Sequence, residues 1–101
     1  MSEVSLEMIK VWKEQYGGVY KATVNDSIYF FRGLTRGDFL NISQKQLIEK
    51  DFDSELETVK VCLLDPKVDD TYLKNKPGLI TVLSEQIMIR SGFQSVEVEE
   101  L

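Results

Sequence analysis

IYFFRGLTRGDF, residues 28–39, changes its hydrophobic period in mid-course, and that change decides the fold. Ile28, Tyr29, Phe30 and Phe31 form a β-branched and aromatic run suited to a pleated surface. Gly33 lets the chain bend, and Thr35 stands where a helix N-cap is expected. Asp38 follows three residues later, as a capping box requires, with Leu34 and Phe39 at the flanking staple positions. A strand therefore passes directly into a capped helix. Every residue of the stretch has a structural use, and none of them implies catalysis.

Working toward the N-terminus, Val19–Val24 and Ile28–Arg32 read as two short strands around Asn25-Asp26-Ser27, a composition typical of hairpin turns. If Asn25-Asp26 is a two-residue turn, Tyr20, Ala22, Val24, Tyr29 and Phe31 share one face. That face is expected to be buried. The opposite face carries Lys21, Thr23 and Arg32, with Ile28 and Phe30 as partly exposed exceptions. Residues 3–16 read as a helix, because Met8, Ile9, Trp12 and Tyr16 recur at three- and four-residue intervals. Gly17-Gly18 ends it.

Toward the C-terminus the period is helical. Thr35 opens a helix to about residue 49 that carries Phe39, Leu40, Leu47 and Ile48, with a break expected near Ser43, where the apolar spacing slips. Ser54 with Glu57 matches a second capping box, ahead of Leu56, Val59 and Leu63. Asp65-Pro66 is expected to stop that helix, since the residue before proline is driven out of the helical region. Lys67–Lys76 is polar and reads as a loop with a turn around Asp69–Leu73. Pro77-Gly78 precedes a last helix with Ile80, Leu83, Ile87 and Arg90 on one stripe. Gly92 is a good C′ residue, and Phe93 is placed to complete a Schellman motif. The expected fold class is α+β, one β-hairpin packed on a small bundle of three to five helices. Residues 1–93 form a single helix-rich domain, and 94–101 form an acidic C-terminal tail in preference to an edge strand.

Composition narrows the function classes. The chain has 101 residues, enough for one domain with a modest core. A net charge of −5 argues against nucleic acid, which requires a clustered basic surface. Membrane attachment is not expected. Apolar runs such as Ile28–Phe31 and Val61–Leu64 are four residues long, against the roughly 20 that cross a bilayer. No basic segment followed by an apolar one opens the chain, so a secretory leader is not expected. With no histidine, Ser-His and Cys-His nucleophile systems and histidine metal sites are excluded. The single Cys62 lies in an apolar run and is expected to be a buried, inert thiol, in keeping with a reducing compartment.

The remaining candidate sites have plainer explanations. Asp65, Asp69 and Asp70 with Glu55 and Glu57 do not follow the spacing of an EF-hand loop and read as solvated side chains. Arg36-Gly37-Asp38 spells an integrin-type tripeptide, but capping already accounts for Asp38. Asn25-Asp26-Ser27 and Asn41-Ile42-Ser43 are glycosylation sequons only in a secreted chain. Gly17-Gly18 belongs to no phosphate-loop pattern. No metal or cofactor is expected. Trp12, Tyr16 and Tyr20 form the one aromatic group that could serve as a docking surface, and core packing is the preferred use for them.

Three phrases carry a family resemblance: a hydrophobic strand running into RGLTRGDF, VKVCLLDP at residues 59–66, and LITVLSEQIMIRSGF at residues 79–93. Their order resembles that of small tailed-bacteriophage tail assembly chaperones, and is similar to the baseplate hub assembly proteins of contractile-tailed phages. The similarity spans about residues 10–93. The chain is short for some members, and its tail offers no continuation of the pattern. The resemblance implies a non-enzymatic protein that binds another phage tail or baseplate polypeptide, of tape-measure or hub type, in the bacterial host cytoplasm during assembly. An acidic, helix-rich domain suits that role, since it can hold an amphipathic helix in an apolar groove and favours basic partners. The residues expected to bind the partner are Trp12, Tyr16, Phe30 and Phe39, with Arg32 and Arg36 as polar partners. Two alternatives stand beside this one. They are a structural component retained in the tail or baseplate of the virion, and a small acidic inhibitor or regulator of a host protein.

Overall fold

The computed structural model describes residues 4–93 and 98–101. Its elements run α1 (Leu6–Tyr16), β1 (Tyr20–Val24), β2 (Ser27–Phe31), α2 (Arg36–Ile48), α3 (Ser54–Cys62), β3 (Leu63–Asp65), α4 (Asp70–Lys74) and α5 (Pro77–Arg90). The fold is α+β, as expected. A three-stranded antiparallel sheet in the order β1-β2-β3 lies against the helices.

The hairpin follows from its turn. Asn25 and Asp26 both have positive φ, 48° and 68°, the conformation of a type I′ turn, whose twist matches that of the flanking strands. The resulting register sets Tyr20 opposite Phe31 and Ala22 opposite Tyr29, so these side chains share the inner face. Tyr29 and Phe31 are buried there, and Tyr20, Ala22 and Val24 pack against the same cluster. Leu56, Val59 and Cys62 of α3 and Leu79, Ile80, Leu83 and Ile87 of α5 complete the core. The α5 stripe is therefore buried except at Arg90, whose guanidinium lies 5.5 Å from the Tyr20 ring centroid.

The junction around residue 35 is built as its sequence requires. Thr35 Oγ1 accepts from the Asp38 N–H at 3.1 Å, and Asp38 Oδ2 accepts from the Thr35 N–H at 3.0 Å. Ahead of this cap the chain passes close to the end of α5. There the Leu34 N–H donates to Ser91 Oγ at 2.7 Å, and a Cβ at Gly33 would stand 3.2 Å from the same oxygen. The end of α5 is itself a Schellman motif. Gly92 has φ +95°, its N–H donates to the Ile89 carbonyl, and the Phe93 N–H reaches the Met88 carbonyl at 3.0 Å.

Five local expectations are corrected. α2 runs through Ser43 without a break, because Leu47 and Ile48 are not core residues; they are 88% and 73% exposed. The cap of α3 is Asp53, not Ser54: its carboxylate accepts from the Leu56 N–H at 3.1 Å, which places Ser54 inside the helix. α3 ends at Cys62, well before Pro66. Leu63–Asp65 then becomes β3, which satisfies the edge of β2 that would otherwise face the core unpaired. The Arg32 N–H extends that pairing to the Cys62 carbonyl at 3.0 Å. Within the expected loop, Asp69 caps a short helix, α4, which delivers Leu73 to the core at 1% exposure. Finally, α1 begins at Leu6, on a Ser5 cap, and not at residue 3. Of the expected tail, residues 94–97 lie outside the described residues; Val98–Leu101 have no regular structure and are exposed.

Candidate functional site

The outer face of the hairpin gathers four of the six residues expected to bind a partner. Phe30 points away from the core, since its neighbours Tyr29 and Phe31 point into it. Trp12 of α1 covers it in part, with ring centroids 6.1 Å apart and planes tilted by 44°. One turn further along α1, the Tyr16 ring lies 4.9 Å from the Arg32 guanidinium carbon. Arg32 Nη1 also donates to Asp38 Oδ2 at 2.8 Å and to the Gly33 carbonyl at 3.0 Å. Trp12, Tyr16, Phe30 and Arg32 thus form one aromatic and cationic group that joins α1 to the hairpin and to the start of α2.

Alternation puts Arg32 on the face opposite the buried one, yet its side chain is only 13% exposed, because the ion pair folds it onto Asp38. Burial alone pushes the Asp38 carboxyl upward. The hydrogen bonds from Arg32 and Thr35 outweigh that and hold it below its ordinary value. One carboxylate therefore serves the helix cap and the arginine together, a pairing that the separate motifs did not reveal.

The other two expected residues stand elsewhere. Phe39 is half-buried, 4.8 Å from the Phe93 ring, and lines a crevice of about 210 Å³ with Leu34, Ile42 and Met88. Arg36 is exposed at the first position of α2. Tyr20 also separates from Trp12 and Tyr16: it lies on the inner face, 5.6 Å from Phe31.

A cleft of about 510 Å³ adjoins the outer-face group. Val4, Ile28, Phe30 and Pro66 supply its apolar lining, and Asp26 and Asp65 are its acids. Nothing in the spacing of the sequence points to Val4 or Pro66 here; the pattern of residues 54–64 continues a helix, whereas Leu63–Asp65 forms β3 and brings Pro66 alongside β2. Further apolar surface lies open nearby on α1, where Leu6 is 85% and Val11 56% exposed.

Several other acidic side chains make contacts within the fold. Asp69 caps α4, Asp70 pairs with Lys60 at 3.2 Å, and Glu57 pairs with Lys45 at 3.5 Å. Among the described residues no cluster of three or more His, Cys, Asp or Glu side chains could hold a metal ion. Cys62 is fully buried, and burial pushes its thiol up to about 12. Tyr29 is likewise pushed up to about 12, first by burial and then by its 2.9 Å hydrogen bond with the Tyr72 hydroxyl. Among the described residues no helix is long and apolar enough to cross a membrane.

No protein-family model and no curated protein matches the chain. A solved structure does resemble it, that of the uncharacterised protein rbstp2171 from Bacillus stearothermophilus. The TM-score is 0.67 at 15% identity, over 90% of this chain and 98% of that one. A likeness at that identity shows the fold alone, and it extends across the hairpin and the helices together.

Proposed function

We propose that this protein is a non-enzymatic, chaperone-type assembly protein of a bacteriophage tail or baseplate. It binds another tail polypeptide, of tape-measure or hub type, in the cytoplasm of the bacterial host. The observation that carries the binding role is the group formed by Trp12, Tyr16, Phe30 and Arg32 outside the core, beside an acid-bearing apolar cleft. Large aromatic side chains and arginine dominate the energetics of protein interfaces. The phage context rests on the resemblance of the strand-to-helix, VKVCLLDP and LITVLSEQIMIRSGF phrases. The net charge of −5 suits a basic partner and keeps the complex dispersed.

The test is to replace Trp12, Tyr16 and Phe30 singly by alanine and measure two quantities on each variant. Capture of a co-expressed tail polypeptide should weaken by about 2 kcal/mol or more, as for an aromatic hot spot. Stability of the isolated protein should fall by less than the roughly 3–5 kcal/mol of a buried aromatic. Large stability losses with undiminished capture would return these residues to a packing role and refute the assignment.

A further inference from the structure

The two faces of the sheet are roofed unequally. α3 and α5 cover the inner face, whereas among the described elements α1 alone lies over the outer face, through Trp12 on Phe30 and Tyr16 on Arg32. Beside α1, the cleft lined by Val4, Ile28, Phe30 and Pro66 leaves Ile28 50% exposed. Val4 also opens an apolar row with Met8 and Val11, four and three residues further on, which are 39% and 56% exposed. A second helix laid next to α1 would cover both. The charge of the place is defined as well. Asp65 stands opposite Phe30 on β3, Asp26 lies in the turn four residues before Phe30, and both line the cleft. Among the described residues neither takes part in an ion pair and no lysine or arginine lines the cleft. Lys21 stands on the far side of Phe30, on β1. Asp26 is also not the residue its turn favours. At φ 68° in the second position of a type I′ turn glycine is preferred, so the hairpin does not require this carboxylate.

We infer that this half of the outer face seats a basic amphipathic helix of the partner polypeptide, with α1 in place beside it. Apolar side chains of that helix enter the cleft over Ile28, Phe30 and Pro66, and a lysine or arginine on either side of them meets Asp26 and Asp65. The spacing follows from the strand. Four residues at about 3.3 Å each, less the curl of the turn, separate the two carboxylates by on the order of 10 Å. On a helix rising about 1.5 Å per residue, that is the distance between positions i and i+7, two turns apart on one face. Trp12 is half-buried, and the docked helix packs on its open side, so Trp12 and Phe30 keep the binding role given above. This inference rests on the reading of the protein as a binder of another polypeptide, and names where that polypeptide docks and what its docking segment carries.

Trp12 is the chain's single tryptophan, so its emission reports the seat. The probe is a synthetic helical peptide with lysines at i and i+7, leucines at i+3 and i+4 and no aromatic residue, added to the full-length protein. Covering the half-buried Trp12 should give a saturable blue shift. The same peptide with glutamate for both lysines should give none at that concentration. Asp26→Gly and Asp65→Asn should each raise the concentration needed by about two- to fivefold, the scale of a solvated ion pair, and added salt should narrow the gap. Asp26→Gly suits the turn, so its weaker binding should come with an unchanged or raised denaturation midpoint. Unmoved Trp12 emission up to millimolar lysine peptide would overturn the inference, as would equal potency on the unsubstituted protein and both variants. Capture of a co-expressed tail polypeptide undiminished by the two substitutions together would keep the proposed function and reject this seat. Lysine-peptide binding that needs both aspartates, without capture of any tail polypeptide, would keep the seat and reject the phage role.

Discussion

On the inner face of the hairpin Tyr29 and Phe31 keep 3% and 2% of their surface, whereas on the outer face Ile28 keeps 50% and Phe30 is covered only in part by Trp12. The two sets alternate along the same five-residue strand, so backbone geometry and local composition are shared. What differs is the layer above each face. α3 and α5 bring a continuous set of leucine, isoleucine and valine side chains to the inner face. α1 brings two aromatic rings to the outer face and buries neither fully. Alternation decides which way a side chain points, and the packing layer decides what that orientation is worth. An aromatic residue on the weaker side contributes less to folding and remains available to a partner.

The contrast is broken most decisively through Cys62, on the inner side. Its thiol is fully buried beneath β2, so reaction with a thiol reagent requires the core to open. Labelling in the native state should be slower than in denaturant by a factor on the order of 10⁴ or more, given the usual stability of a domain. Rapid native labelling would mean that α3 is no more firmly held than α1. Next in size is the pair Phe31→Ala and Phe30→Ala, two residues adjacent in sequence. Phe31→Ala should cost about 3–5 kcal/mol by chemical denaturation, and Phe30→Ala less than half of that. Equal losses would erase the distinction between the faces.

Alkaline titration tests the inner face more finely. Tyr29 is uncharged when protonated, and its folded value is raised from 10.0 to about 12. The unfolded phenol therefore loses its proton first as pH rises. The stability contributed by Tyr29 is full below pH 10 and is lost as pH climbs toward about 12. At about 1.4 kcal/mol per unit the full loss is on the order of 3 kcal/mol. Cys62, raised from 9.0 to about 12, adds a loss that begins at lower pH. Tyr29→Phe should flatten the decline between pH 10 and 12 while leaving the Cys62 part in place. An unchanged slope would show that the Tyr29 hydroxyl titrates as in the unfolded chain.

Much of this architecture is legible in the residues themselves where one local rule acts alone. Asn25-Asp26 specifies the turn, the turn specifies the register, and the register assigns Tyr29 and Phe31 to the core. Thr35 with Asp38, and Gly92 with Phe93, specify helix ends in the same way. Legibility stops where a distant neighbour decides. Val61–Leu64 is apolar enough for a helix end or a strand, and only the open edge of β2 selects β3. Leu73 looks like a loop residue until α5 gives it something to pack against. The candidate site divides along the same line. Trp12 and Phe30 stand out as large apolar residues in places that need none, but their contact depends on α1 folding back over the sheet. The cleft beside them is set by tertiary contact alone, because Val4 and Pro66, far apart in sequence, meet there.

The smallest expected effect concerns the cap that ties the outer-face group to α2. Thr35→Ala removes the acceptor for the Asp38 N–H and should cost about 1 kcal/mol. The Asp38 carboxylate remains, still accepting from the Thr35 N–H and from Arg32, so Arg32 should stay in place over Tyr16. Asp38→Asn is the complementary change. It weakens the cap and also leaves Arg32 without its ionic partner, so α1 loses part of its hold on the hairpin. Because Asp38 is held below its ordinary 3.8, its contribution is present above that pH and is lost as pH falls through the lower folded value. Thr35→Ala should therefore lower the denaturation midpoint with Trp12 emission unmoved. Asp38→Asn should lower the midpoint, shift the emission to the red, and abolish this part of the acid dependence. If both variants move Trp12 equally, α1 is held by the helix cap as a whole, and the Arg32 bridge carries no separate share of the outer face.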